Sequence, residues 1–273
     1  MRKAISYCLF GDAGYDRYLP AVVRAHHHIF PSLDGWEMWL IVDQKNESPL
    51  VRAYHAHGVL HGAVEQEAHT LGITQAMLLR LAPIFYSDPP DVVFCRDLDA
   101  LPLPRDRRCC EDFIASEETT IHTIHDNAHH VGIMGGLSGF KTAAVRKHFD
   151  LLGDIVKAAG AVDWTKRGTD QDVLNSVVRP KLALFEHNFE GRQMDRGAVV
   201  SVPTPKASFD TMATADDLAP HLGAAGFDID RAMGFYGRMI SRMAMQDIAN
   251  ERILRAEADA NSPQLSFDDA KRN

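Results

Sequence analysis

The stretch Val92-Val93-Phe94-Cys95-Arg96-Asp97-Leu98-Asp99-Ala100 decides how the chain is read. Its first four residues are apolar without polar alternation, which predicts a strand buried on both faces of a sheet. Two aspartates one residue apart follow at the strand's carboxyl end, so both side chains point the same way. Open α/β sheets bind ligands in the crevice beyond the carboxyl ends of their strands. Hard carboxylate oxygens placed there suit a divalent cation whose remaining positions a diphosphate can fill. Burying two adjacent carboxylates without a cation or an arginine is costly, so a charge partner is required. A plain turn before Pro102 and Pro104 is the bland alternative for the same residues.

Outward from this strand, apolar runs alternate with helical patterns. Strands are expected at 4–10, 36–42, 59–64, 119–124 and 182–185, and helices at 18–30, 50–57, 107–116, 141–159 and 169–178. A further helix opens with Thr74 as its cap and is kinked by Pro83. This alternation specifies an α/β sandwich with helices on both faces of the sheet. The first strand runs into the turn Gly11-Asp12-Ala13-Gly14, and the second into Asp43. Residues 131–140 form a Gly-rich segment, and 229–258 a Met- and Arg-rich helical extension. The chain therefore divides into a catalytic and nucleotide-binding unit over 1–200, an irregular and helical extension over 201–260, and a disordered tail over 261–273.

Two more positions carry chemistry. Thr169-Asp170-Gln171-Asp172 opens a helix, where Asp170 is an N-cap or part of a polar cluster gripping hydroxyls. His187 follows the last apolar strand and is placed to be a third ligand, imidazole suiting Mn²⁺ better than Mg²⁺. His125 and His129 are spaced for a shared helix face, but no Glu follows His125, and a loop is expected instead. Asp126, His129 and His130 read as polar groups on the sugar or acceptor side. The triplet His26-His27-His28 reads as part of a solvated helix.

Residues 77–189 resemble a group of bacterial GT-A glycosyltransferases, distantly similar to the glycogenin-like retaining enzymes. The resemblance rests on Leu79-Arg80-Leu81-Ala82-Pro83, Arg96-Asp97-Leu98-Asp99, His125-Asp126 through His130, Gly135-Gly136-Leu137-Ser138-Gly139, Asp170-Gln171 and His187, in that order. It implies a GT-A-like, Rossmann-type mixed sheet flanked by helices, and a nucleotide-diphospho-sugar donor, UDP-linked in preference to GDP-linked. It implies Mn²⁺ or Mg²⁺ at Asp97, Asp99 and His187, with Arg80 or Arg96 near the phosphates. Gly135 and Gly136 would run close to the sugar, and Asp170 and Gln171 would bind its hydroxyls. The turn after the first strand would hold the nucleoside, with Phe10 and Gly11 beside it and Asp12 or Asp43 on the base or ribose. Asp126 or Asp170 would serve as base if the reaction inverts. Ser138 and Phe140 stand where such enzymes often carry an aromatic residue and a Trp, and Asn188 replaces the Asp that usually follows the late His.

Composition bounds the alternatives. The 273 residues are 45% hydrophobic and 24% charged, an ordinary globular balance. A formal charge of -8 weighs against a broad electrostatic footprint on nucleic acid or anionic lipid. The four cysteines, including vicinal Cys109-Cys110, lack zinc or disulfide spacing and fit a reducing compartment. No segment approaches the roughly 20 apolar residues that span a bilayer. A cytoplasmic enzyme is expected, with a homo-oligomer compatible with the same reading, acting on a hydroxyl of a glycan, a lipid-linked sugar, a protein or a modified nucleobase. Competing readings are a nucleotidyltransferase acting on a sugar phosphate, and a non-catalytic nucleotide-binding module.

Overall fold

The computed structural model describes residues 1–11, 19–62, 64–65, 71–98, 102, 104–125, 131–188, 198–201 and 248–261. Asp12, Asp99, Asp126, His129 and His130 lie outside these, as do most of the predicted extension and the tail.

The strands are β1 (Lys3–Leu9), β2 (Trp36–Asp43), β3 (Val64–Glu65), β4 (Val92–Arg96), β5 (Ile121–His125), β6 (Leu137–Lys141), β7 (Leu184–Asn188) and β8 (Ala198–Ser201). They form one eight-stranded sheet in the order β3-β2-β1-β4-β6-β5-β7-β8. All neighbours run parallel except β6, which is antiparallel to both β4 and β5. Every residue of β4 is buried, as its unbroken apolar run requires.

Helices cover both faces. One face packs α1 (Leu19–Ile29), α2 (Pro49–Ala56), α4 (Pro104–Ala115) and the last helix, α8 (Ile248–Asn261), around Tyr7, Phe30, Trp36, Phe94 and Phe113. The Tyr54 hydroxyl donates to Glu257 Oε1 at 2.9 Å, and His57 Nε2 lies 2.6 Å from Asp259, so α8 is held against α2. The other face packs α5 (Thr142–Arg146), α6 (Leu152–Ala159), α7 (Thr169–Val173) and the segment Leu78–Phe85 over Val93, Cys95, Ile121 and Phe140.

Several expectations need correction. The helix opening near Thr74 becomes a short α3 (Ile73–Met77) followed by 3-10 turns through Phe85. Pro83 lies inside these turns, its ring excluding the regular α-helical bonding that the sequence pattern predicted. Thr74 sits inside α3, where its hydroxyl bonds to the Trp164 carbonyl, and Gly72 takes the cap position. The Gly-rich segment contains a full strand, β6. Gly139 is required there because a Cβ would lie 2.4 Å from the Phe94 ring. His26 and His27 are buried rather than solvated, His26 against Tyr7 and Phe30 and His27 beside His26 and the Val59 carbonyl.

Candidate active site

Parallel β1, β2 and β4 present their carboxyl ends at one edge of the sheet, and antiparallel β6 presents its amino end there. Arg96 pairs with Leu137 in register, so the next residues out, Asp97 and Gly136, face each other. A Cβ on Gly136 would fall 2.1 Å from Asp97 Oδ2, a cradle only glycine leaves open. A Cβ on Gly135 would fall 2.8 Å from Asp170 Oδ2 and 2.9 Å from Arg80 Nη2.

Arg80, from the 3-10 segment, ties these groups together. Its Nη1 donates to Asp97 Oδ1, its Nη2 to Asp170 Oδ2 at 3.2 Å, and its Nε to the Met77 carbonyl at 3.0 Å. Burial works against the charged guanidinium, but Asp97, with Asp170 adding to it, outweighs the cost and holds its pKa above the ordinary value. Burial likewise raises the Asp170 carboxyl, with Arg80 and the Gln171 N–H pulling the other way. Two carboxylates share one guanidinium, and the Asp97 side chain remains 37% exposed. Gln171 joins them through its Cγ, 3.6 Å from the Gly135 Cβ position.

The sequence-predicted residues Arg80, Asp97, Gly135, Gly136, Asp170 and Gln171 thus form one cluster. Phe10, Gly11 and Asp43 lie along the same sheet edge, at the ends of β1 and β2. Asp43 is buried and accepts from Lys45 N at 3.2 Å, while the Gly11 carbonyl accepts from Asn46.

Arg96 does not join the cluster. It grips both carboxylate oxygens of Asp106 on α4 at 2.5–3.2 Å and donates to the carbonyls of Cys95 and Ser138. Of the two arginines expected near the phosphates, Arg80 alone lies in the cluster, where its donors go to Met77, Asp97 and Asp170.

His187 does not join it either. The register runs Arg96–Leu137 and Ile124–His187 across β4, β6, β5 and β7. Three strand spacings of about 4.8 Å put His187 roughly 14 Å from β4. It also faces α4, between His122 Nε2 at 2.9 Å and Asp112 Oδ2 at 3.2 Å, whereas Asp97 turns to Arg80 on the opposite face. Among the described residues no group of three His, Cys, Asp or Glu side chains is arranged to hold a metal ion. Of the expected ligands, Asp97 alone is described at the edge of the cluster, with its outer oxygen in the glycine cradle.

Asn175 escaped the sequence reading. Its Oδ1 accepts from Ile133 N at 2.8 Å and its Nδ2 donates to the Ile133 carbonyl at 3.1 Å, fastening the Gly-rich segment to the helix that carries Asp170. The signal was its position four residues after Gln171, on one helix face.

No protein-family model matches the chain, and no curated protein does. Among solved structures it is similar to the apo-form glycosyltransferase GlyE of Streptococcus pneumoniae TIGR4, at 14% identity and a TM-score of 0.46. That match covers 67% of this chain and 45% of GlyE, so the chain spans under half of GlyE's length. It is also similar to a glycosyltransferase involved in the glycosylation of the major capsid of PBCV-1 (13% identity, 69% of this chain, 82% of that chain, TM-score 0.42). S. aureus TarS 1–349 in complex with UDP-GlcNAc matches at 11% identity over 95% of this chain and 80% of that chain, with a TM-score of 0.42. Similarity at this level bears on neither substrate nor mechanism. No helix among the described residues is long and apolar enough to cross a membrane.

Proposed function

We propose that this chain is a GT-A-type glycosyltransferase that moves a sugar from a nucleotide-diphospho-sugar, UDP-linked by preference, to a hydroxyl acceptor. The observation that carries the reading is the cluster of Arg80, Asp97 and Asp170 packed on Gly135 and Gly136 at the carboxyl end of β4. Two carboxylates held on one buried guanidinium match a ligand rich in hydroxyls that arrives with a divalent cation. Asp170 and Gln171 accept and donate to sugar hydroxyls, and the two glycines let the ring approach the backbone. Arg80 keeps Asp97 and Asp170 in place. Phe10, Gly11 and Asp43 take the nucleoside side. Asp97 and Asp99 would hold Mn²⁺ or Mg²⁺, which when bound supplies positive charge to the departing diphosphate. Asp126 or Asp170 would take the acceptor proton in an inverting reaction.

The test is a thermal-shift titration with UDP and UDP-sugars, with and without Mn²⁺. Saturation near 100 Kd adds about 2.7 kcal/mol, roughly 5 °C or more for a domain of this size. Asp97→Asn is expected to lose that shift while staying folded, with only a small drop in its unliganded melting temperature. A wild-type protein that no nucleoside diphosphate stabilises would end this reading.

A further inference from the structure

The last residue of β5 and the middle of β7 carry a buried pair that the cluster above does not include. His125 is fully buried, Glu186 is 1% exposed, and His125 Nδ1 lies 3.3 Å from Glu186 Oε1, in ion-pair range though off the line of a hydrogen bond. The other ring nitrogen, Nε2, lies 2.6 Å from the Gly132 carbonyl oxygen. A carbonyl only accepts, so Nε2 carries a hydrogen and Nδ1 is left facing the carboxylate. A backbone carbonyl on one side and a buried carboxylate on the other fix the orientation of the buried ring. The ring is thereby pinned with its single outward bond aimed at Gly132.

Gly132 opens the segment that leads to the cluster. Its φ of +67° and the 2.3 Å from a built Cβ to Asn175 Oδ1 both demand glycine. Thr123 donates to the same Gly132 carbonyl at 3.3 Å and accepts from Met134 N at 3.2 Å, while Asn175 holds Ile133. Residues 132–134 are thus fastened one after another, and the next two are Gly135 and Gly136, pressed on Asp170, Arg80 and Asp97.

We propose that Glu186 and His125 are a positioning pair for the donor site, setting through Gly132 how closely the glycines approach Asp97 and Asp170. The proposal rests on the donor reading above only for its consequence on binding. Hydrogen exchange at Ile133 and Met134 tests it without ligand, and UDP affinity with Mn²⁺ tests the consequence. The amide of His125→Asn is too short to reach Gly132, whereas that of His125→Gln is long enough. His125→Asn should speed exchange at 133–134 and weaken UDP binding by about tenfold each, the worth of one buried hydrogen bond. His125→Gln should keep both within about threefold of wild type, and β1 and β2 amides should exchange normally in each variant. Glu186→Gln, of the same size, removes the charge that pins the ring and should raise exchange at 133–134 about threefold, which keeps the test open should His125→Asn not fold. Unchanged exchange in Glu186→Gln and His125→Asn, or no rescue by His125→Gln, overturns the pair. Absence of UDP binding by the wild-type protein overturns the donor reading alone, since the exchange result still decides the pair.

Discussion

Arg80 and Arg96 are both buried, both paired with aspartate, and serve opposite faces of the sheet at the end of β4, yet they do different work. Arg96 makes a closed circuit. One aspartate, 13% exposed, takes two of its nitrogens, and two carbonyls take the third, so charge and hydrogen bonds are matched within the protein. Arg80 makes an open one, with two carboxylates for one guanidinium, glycines in place of side chains, and Asp97 partly in solvent. A closed circuit fixes a helix. An open circuit carries surplus negative charge at a partly exposed edge of the sheet, where the proposed donor site lies.

The largest effect should come from breaking the closed circuit. Arg96→Leu strands a buried Asp106 carboxylate and unties α4 from β4, which should cost about 3–5 kcal/mol in urea unfolding. Asp97→Asn, which touches the open circuit, should cost far less. Equal losses in the two variants would erase the distinction between the arginines.

Before folding, this distinction is invisible. Arg80 and Arg96 both precede or adjoin the aspartate pair in sequence, but the partner that captures Arg96 comes from the following helix, at Asp106. The same limit misplaced His187. A strand end specifies which edge of the sheet a residue reaches, but a strand buried on both faces has no alternation to say which face it takes. What was legible was local: the unbroken run of β4, a helix opening at Thr169 (with Gly168, not Thr169 or Asp170, as its cap), and the Gly-rich segment beside Asp97 and Asp170. Strand β6 was hidden by those very glycines, since the residues that allow Phe94 and Asp97 to pack so closely also depress strand propensity.

The closed face has a second property, dryness, and pH should read it. Burial drives His26 well below the ordinary histidine value, with His27 and His61 adding to it, and burial does the same to His122, helped by His187, Arg96 and His125. A depressed histidine contributes stability that is present above its unfolded value, near 6.5, and lost as pH falls toward the folded one. The unfolded chain takes up protons that the folded one refuses, so each such histidine should cost about 1.4 kcal/mol per pH unit below 6.5. The urea midpoint should therefore drop between pH 7.5 and pH 5.5, and His26→Leu should flatten the drop. A wild-type midpoint that stays level over this range would mean the face admits water.

Asp170 should give the smallest effect and the sharpest contrast with Arg96. Its carboxyl is raised by burial, only partly offset by Arg80. For a raised acid the sign runs opposite to that of a carboxylate in a stabilising salt bridge. Its contribution to stability is full below the unfolded value, near 3.9, and is lost as pH rises through the folded one. At pH 7 the folded protein therefore holds an ionised group at a cost, in a site where Arg80 already has Asp97. Asp170→Asn removes that cost and keeps an acceptor oxygen for Arg80. It should leave stability at pH 7 within about 1 kcal/mol of wild type, on the favourable side, and flatten the stability profile above the unfolded value near 3.9. UDP-sugar affinity should fall in the same variant, because the lost charge is one that the donor hydroxyls would use. Retained affinity with a loss of several kcal/mol would instead make Asp170 a structural partner like Asp106, and the open circuit around Arg80 would be closed after all.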